Sequence, residues 1–157
     1  MNEIMPSWGR PANVLLVEDN RDDVELTRLG FLRAKLHVNL HHVPSGEECM
    51  AFLRKEGEHA EAPRPDLVLL DINMPRMSGI EVLRETDRDE TLRDIPMVVL
   101  TSSSADEDIL KCYKLRCSSY LVKPITFESF TKLIQSLGDY WFTLVVLPSH
   151  VSRSRPR

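Results

Sequence analysis

Four short apolar runs in this chain each stop on a polar group, and no other feature narrows the fold as far. Leu67-Val68-Leu69-Leu70 closes on Asp71, and Val14-Leu15-Leu16-Val17 closes on Glu18-Asp19. Met97-Val98-Val99-Leu100 closes on Thr101-Ser102-Ser103, and Tyr120-Leu121-Val122 closes on Lys123-Pro124. Short continuous apolar runs suit strands covered on both faces, as in a parallel sheet. A carboxylate at the end of a buried strand is costly without partners. In an open α/β sheet the carboxyl ends of the strands are also where ligands bind. Converged, these ends supply three acids, a hydroxyl and an ammonium, the makeup of a magnesium site with a phosphate site beside it.

The segments between the runs carry helical spacing. Residues 22–34 place Val24, Leu26, Leu29, Phe31 and Leu32 on a rough helical face. A further strand begins at Val38-Asn39-Leu40 and ends near Val43. Ser45 with Glu48, and Ser78 with Glu81, have the spacing of a capping box and open two helices. Residues 57–65 and 87–94 read as polar loops, and a short helix spans about 107–115. The last helix begins near Thr126, with Phe127, Phe130, Leu133, Ile134, Leu137 and Trp141 on one face. Five strands alternating with helices predict an α/β fold: a doubly wound five-stranded parallel sheet with helices on both faces. Periodicity does not set the strand order.

A chain of 157 residues suits one domain. Hydrophobic content of 42% and charged content of 28% are ordinary for a soluble globular protein. A net charge of −4 argues against a general nucleic-acid-binding surface. No apolar stretch approaches the ~20 residues of a membrane span, and residues 1–12 lack the pattern of a secretory signal. The three cysteines, Cys49, Cys112 and Cys117, form no CxxC pair. Their scatter suggests reduced thiols used for packing, and a cytoplasmic protein.

The acids define the chemistry. Glu18, Asp19 and Asp71 offer carboxylates to a magnesium ion, and the backbone carbonyl of Asn73 offers a further oxygen. Lys123 and the Thr101 hydroxyl, with Ser102 beside it, can serve phosphoryl oxygens. Asp71 is then the nucleophile that forms an aspartyl phosphate. Taken singly, each piece has a plainer use. Asp19-Asn20 would cap a helix, Thr101 and the serines would make a loop, and Tyr120 would be a half-buried strand aromatic with its hydroxyl in water.

Together these residues resemble the response-regulator receiver domain of two-component signalling, over roughly residues 13–137. Glu18-Asp19, Asp71, Thr101 and Lys123-Pro124 stand at the expected strand ends, and Met74-Pro75 and Gly79 follow Asp71 as in that family. The resemblance implies a flavodoxin-like strand order, 2-1-3-4-5. It implies that Asp71 is the phosphoacceptor, that Asp19, Asp71 and the Asn73 carbonyl bind Mg²⁺ directly, and that Glu18 acts through water. It further implies a switch through Thr101 and Tyr120, a cis peptide before Pro124, and a sensor histidine kinase as partner. Such a protein is not an enzyme beyond its own phosphotransfer and dephosphorylation. Two other functions fit parts of the pattern. One is a Mg²⁺-dependent phosphohydrolase using Asp71, although Asn73 stands where such hydrolases place a general acid. The other is a scaffold that is never phosphorylated.

The chain ends unusually for a receiver. Tyr140-Trp141-Phe142-Thr143-Leu144-Val145-Val146-Leu147-Pro148 is apolar almost all round, whereas a surface helix keeps a polar face. The stretch therefore needs a second surface, supplied by another copy of the chain or by its own domain. This ending, the stretch Asp89-Glu90-Thr91-Leu92-Arg93-Asp94-Ile95-Pro96 and the opening Glu18-Asp19-Asn20 resemble single-domain regulators that pair with phytochrome histidine kinases. That resemblance implies a homodimer on the last two helices and last strand, with Tyr140, Trp141, Phe142, Leu144, Val145 and Leu147 at the interface. Truncation after Gly138 is then expected to leave a soluble monomer. The expected division is an N-terminal extension (1–12), the receiver (13–138), an apolar extension of the last helix (139–148) and a basic, disordered tail (149–157). That tail carries Arg153, Arg155 and Arg157 and is too short for an output domain.

Overall fold

Strand and helix alternate throughout. The computed structural model describes residues 9–150, and the side chains of all of them except Leu144 and His150. The elements are β1 (Ala12–Val17), α1 (Arg21–Ala34), β2 (Val38–Val43), α2 (Gly46–Arg54), β3 (Leu67–Leu70), α3 (Gly79–Arg88), β4 (Met97–Thr101), α4 (Asp106–Lys114), β5 (Ser119–Val122) and α5 (Phe127–Asp139). The 57–65 loop adds a 3-10 turn, Gly57–His59. Every strand pairing is parallel, in the order β2-β1-β3-β4-β5. This is the expected flavodoxin-like order. Among the described residues no helix is long and apolar enough to cross a membrane.

Side-chain caps start four of the helices. Ser45 accepts a hydrogen bond from the Glu48 amide, Ser78 from Glu81 and Thr126 from Ser129. Asn20 accepts from the amides of Asp22 and Asp23. Each cap satisfies an amide that would otherwise lack a partner. The cap of α1 is thus Asn20, which leaves Glu18 and Asp19 to act elsewhere. Helices α1 and α2 end on Lys35 and Lys55, both left-handed at φ 57° and 56°, where glycine is the usual residue.

Alternate strand residues build two cores. Val14, Leu16, Leu67, Leu69, Val98 and Leu100 face α1 and α5, against Phe31 and Ile134. Leu15, Val17, Val68, Leu70 and Val99 face the other helix layer, against Phe52, Val82, Leu83 and Cys112. Helices α1 and α5 approach closely at Gly30, where a Cβ would lie 2.5 Å from the Ile134 Cβ. The three cysteines are buried free thiols. Burial pushes Cys49 and Cys112 up to about 12 and Cys117 to about 11, as expected of packing residues.

The C-terminal arm differs from expectation. Helix α5 stops at Asp139, one π turn follows at Tyr140–Leu144, Val145 is extended, and Pro148–His150 forms a 3-10 turn. The arm is therefore not a simple extension of the last helix. Phe142 and Leu147, expected at a dimer interface, are fully buried in their own domain. The Phe142 ring lies 6.4 Å from that of Phe31. The physical reason is the widened π turn that continues α5 and the end of the helical path at Val145. A straight helix would carry its apolar circumference away from the sheet, whereas the π turn and extended Val145 fold two of its side chains back. Tyr140 and Val146 remain outside at 54% and 80% exposure, with Trp141 and Val145 partly buried. Truncation after Gly138 would uncover the core, not trim a free arm.

The same segment is tied down at the opposite end of the sheet from the acids. Asp66, buried just before β3, accepts from Arg10 Nη1 (2.8 Å) and Nη2 (2.6 Å), from the Asn13 amide (2.7 Å) and from Ser149 Oγ (2.7 Å). Arg10 and Ser149, placed by the sequence in an extension and a tail, thus meet on one core carboxylate. Residues 1–8 and the arginines at 153, 155 and 157 lie outside the described residues.

Candidate phosphoacceptor and metal site

The parallel registers bring the expected groups together. Val17 pairs with Leu70, Leu70 with Val99, and Thr101 with Val122. Glu18, Asp71 and Lys123 directly follow these paired residues and Thr101 ends β4, so the four reach one crevice. Backbone bonds hold the crevice walls: Asp71 N–H to the Val17 carbonyl (3.1 Å), Glu18 N–H to Val43 (3.1 Å) and Lys123 N–H to Thr101 (2.7 Å). Gly79, which opens α3, packs directly on the Asp71 backbone. A Cβ there would collide with the Asp71 carbonyl oxygen and lie 2.7 Å from the Ile72 Cα.

Glu18, Asp19 and Asp71 each offer a carboxylate oxygen, all within 4.8 Å of one another. Glu18 and Asp71 are buried and Asp19 is exposed, so the cluster opens to solvent on one side. Three oxygen ligands in a site open to water suit a hard divalent cation that retains several waters, and the donor set fits Mg²⁺. The Asn73 amide donates to Asp71 Oδ1 at 3.1 Å, which bends the chain beside the cluster. Asn73 Nδ2 lies 3.4 Å from Thr101 Oγ1, and the Ser103 amide is at the same distance. These are long contacts on a fully buried hydroxyl. Ser102 is exposed on the same loop.

Lys123 is the counter-charge. Its ammonium lies 2.6 Å from Glu18 Oε1, 2.7 Å from Asp23 Oδ2 and 3.2 Å from Asp71 Oδ2. A lysine has three N–H donors, and each has a carboxylate. Burial pulls the Lys123 pKa down, but hydrogen bonds to Asp23 and Glu18 and the charge of Asp71 outweigh it, and the net shift is upward. Burial pushes Glu18 up to about 8, against the pull of the Lys123 hydrogen bond and helped by the charge of Asp71. A buried carboxyl is harder to ionise than one in water.

Tyr120 is half-buried against the α2–α3–α4 core, and its hydroxyl donates to the Ser103 carbonyl at 2.9 Å. The plainer reading of Tyr120, with its hydroxyl in water, gives way to a bond with the loop that follows Thr101. The expected cis peptide before Pro124 is also corrected, since no described residue has one. An X–Pro bond prefers trans by only about 0.5–1 kcal/mol, so its neighbours can set the isomer.

Sequence reasoning missed two members of the site. Asp23 is in the first turn of α1, directly above the β1 end, and it binds the lysine more closely than Asp71 does. Its place five residues after Glu18, in the first turn of a capped helix, was the available signal. His42 Nε2 lies 2.7 Å from the Glu18 carbonyl. Nothing in the sequence marks it, because the contact depends on the register of β2 against β1.

Comparison with known proteins agrees with this geometry. Residues 14–135 match the response regulator receiver domain. The chain is 36% identical over 139 residues to response regulator Rcp1 of Synechocystis sp., covering 88% of this chain and 95% of that one. It superposes on the phosphorylated cyanobacterial phytochrome response regulator RcpA with a TM-score of 0.85 and 37% identity, covering 88% and 99% of the two chains. The Mn²⁺-bound form of Rcp1 gives a TM-score of 0.84 at 36% identity, with the same coverage. With its sheet order, its acid cluster and a family match over most of its length, the chain belongs to the response regulator receiver domain family.

Proposed function

We propose that this protein accepts a phosphoryl group from a sensor histidine kinase on Asp71, and that the kinase is of the phytochrome type. The observation that carries this reading is Asp71 itself: a buried carboxylate at a strand end, with two further acids within 4.8 Å and an ammonium at 3.2 Å. The likeness to regulators described as cyanobacterial phytochrome response regulators supports the choice of kinase. Glu18, Asp19, Asp71 and the Asn73 carbonyl would hold Mg²⁺, which when bound supplies positive charge to the phosphoryl oxygens. An Asp71 carboxylate oxygen attacks the phosphorus of the kinase phosphohistidine. The phosphorus–nitrogen bond breaks, and its electron pair returns to the imidazole. Lys123 and Thr101, with Ser102 on the same loop, bind the phosphoryl oxygens.

The response then passes to the α4–β5–α5 face. Thr101 has only long contacts to give up, and Ser103, two residues on, holds the Tyr120 hydroxyl. Drawing Thr101 toward the phosphoryl group therefore shifts the loop that positions Tyr120. This face also serves as the homodimer surface. β5 is an edge strand, and Tyr140, Trp141, Leu121 and Leu133 line a groove of about 370 Å³ beside it. Phe142 and Leu147 support that surface from within the domain.

The test uses acetyl phosphate with Mg²⁺ and a phosphate-affinity gel. The parent chain takes one phosphoryl group, and Asp71→Asn takes none while its circular dichroism is unchanged. Stable incorporation into Asp71→Asn would overturn the assignment. Turnover of a general phosphatase substrate would favour a phosphohydrolase. No incorporation into the parent would favour a scaffold.

A further inference from the structure

Three carboxylates share the Lys123 ammonium, but only two of them, Glu18 and Asp71, belong to the metal cluster. The third, Asp23, reaches in from α1 and holds the ammonium at 2.7 Å, half an ångström closer than Asp71 at 3.2 Å. Asp23 is partly buried. The helix that carries it is fixed at its start by Asn20, whose side chain binds the Asp23 amide itself at 3.2 Å. The carboxylate is thus held in place by a rigid element. It draws the lysine's charge toward α1 and away from Asp71, while Glu18 keeps the shortest contact at 2.6 Å.

We propose that Asp23 is a positioning residue that acts through Lys123, dividing the ammonium's charge between α1 and the reacting centre. The proposal rests on Asp71 being the phosphoacceptor. In the resting protein, Asp23 draws the ammonium outward and so lowers its competition with a divalent cation for Asp71. Once a phosphoryl group is on Asp71, Asp23 competes with the phosphoryl oxygens for the same three N–H donors. One carboxylate therefore favours metal binding and disfavours the phosphorylated form. A residue that only stabilised α1 would do neither.

The experiment uses the full chain and two equilibrium readouts by titration calorimetry: Mg²⁺ alone, and beryllofluoride at saturating Mg²⁺ as the phosphoryl mimic. Asp23→Asn and Asp23→Ala should both weaken Mg²⁺ and tighten beryllofluoride, each by about three- to tenfold, from loss of one charge against a partly screened ammonium. Asp22→Asn, an exposed acid in the same turn, removes the same net charge and should move both affinities by less than about twofold. In a Lys123→Ala background the Mg²⁺ effect of Asp23→Asn should fall to that of Asp22→Asn, as a double-mutant cycle requires of a residue acting through another. The proposal fails if Asp23→Asn matches Asp22→Asn in the parent. It also fails if beryllofluoride weakens, or if the Mg²⁺ effect survives in Lys123→Ala. A parent that does not bind beryllofluoride overturns the role of Asp71 instead, and the Mg²⁺ cycle still decides the coupling of Asp23 to Lys123.

Discussion

Replacing Phe142 with alanine tests the largest departure from the sequence reading. Phe142 is fully buried and packs with Phe31, Leu137 and Leu147 in the core shared by α1 and α5. A buried phenylalanine removes about 150–250 Å² from water. Leaving only a methyl forfeits about 2–4 kcal/mol at about 25 cal/mol per Å². Incomplete collapse around the lost ring adds a cavity cost, for a total of about 3–5 kcal/mol. A domain of this kind is stable by about 5–15 kcal/mol, so the loss takes a large share. It should lower the melting temperature by about 8–15 °C. Val146→Ala, four residues on and 80% exposed, should stay within about 0.5 kcal/mol. Urea unfolding followed by circular dichroism gives both values, and light scattering gives the oligomeric state alongside. If Phe142→Ala unfolds at the parent's urea midpoint but dissociates a dimer, the side chain is an interface residue and the packing argument is wrong.

Other outcomes follow from particular groups. Burial raises the Asp66 pKa, but hydrogen bonds from Arg10, Ser149 and the Asn13 amide outweigh it, and the net shift is downward. A depressed carboxylate contributes stability above its unfolded pKa and loses it as pH falls through the folded one. Melting curves below about pH 4 should therefore fall less steeply for Asp66→Asn than for the parent, and equal slopes would refute this. Burial raises Glu18 to about 8 without metal, so a divalent cation binding its carboxylate competes with a proton near neutral pH. Mg²⁺ affinity should rise with pH up to about 8, and at pH 7 the calorimetric heat should depend on the buffer's ionisation enthalpy. Identical heats in phosphate-free buffers of high and low ionisation enthalpy would show that no proton leaves. Lys35→Gly should stabilise the domain by about 0.5–1 kcal/mol, since the residue sits at φ 57° where a side chain is strained. Denaturant titration checks the sign.

Much of this protein was legible in the sequence because the signals are local. Continuous apolar strands, capping serines and acids at strand ends depend on neighbours within a few residues, and each stands where it was expected. The parallel alternation of β and α then admits few topologies, so the sequence alone assigns Asp71, Glu18, Asp19, Thr101 and Lys123 to one crevice. What remained depends on distance in three dimensions. Asp23 joins the site only because α1 settles its first turn above Lys123. His42 joins through strand register, and Asp66 gathers Arg10 and Ser149 from opposite ends of the chain. The apolar arm shows the limit most clearly. Its composition demanded a covering surface, and both another copy and its own domain satisfied that demand. Only the tertiary structure, by passing α5 into a π turn and ending it at Val145, placed Phe142 and Leu147 against their own core, because the direction of a buried side chain is set by the backbone path and not by its hydrophobicity.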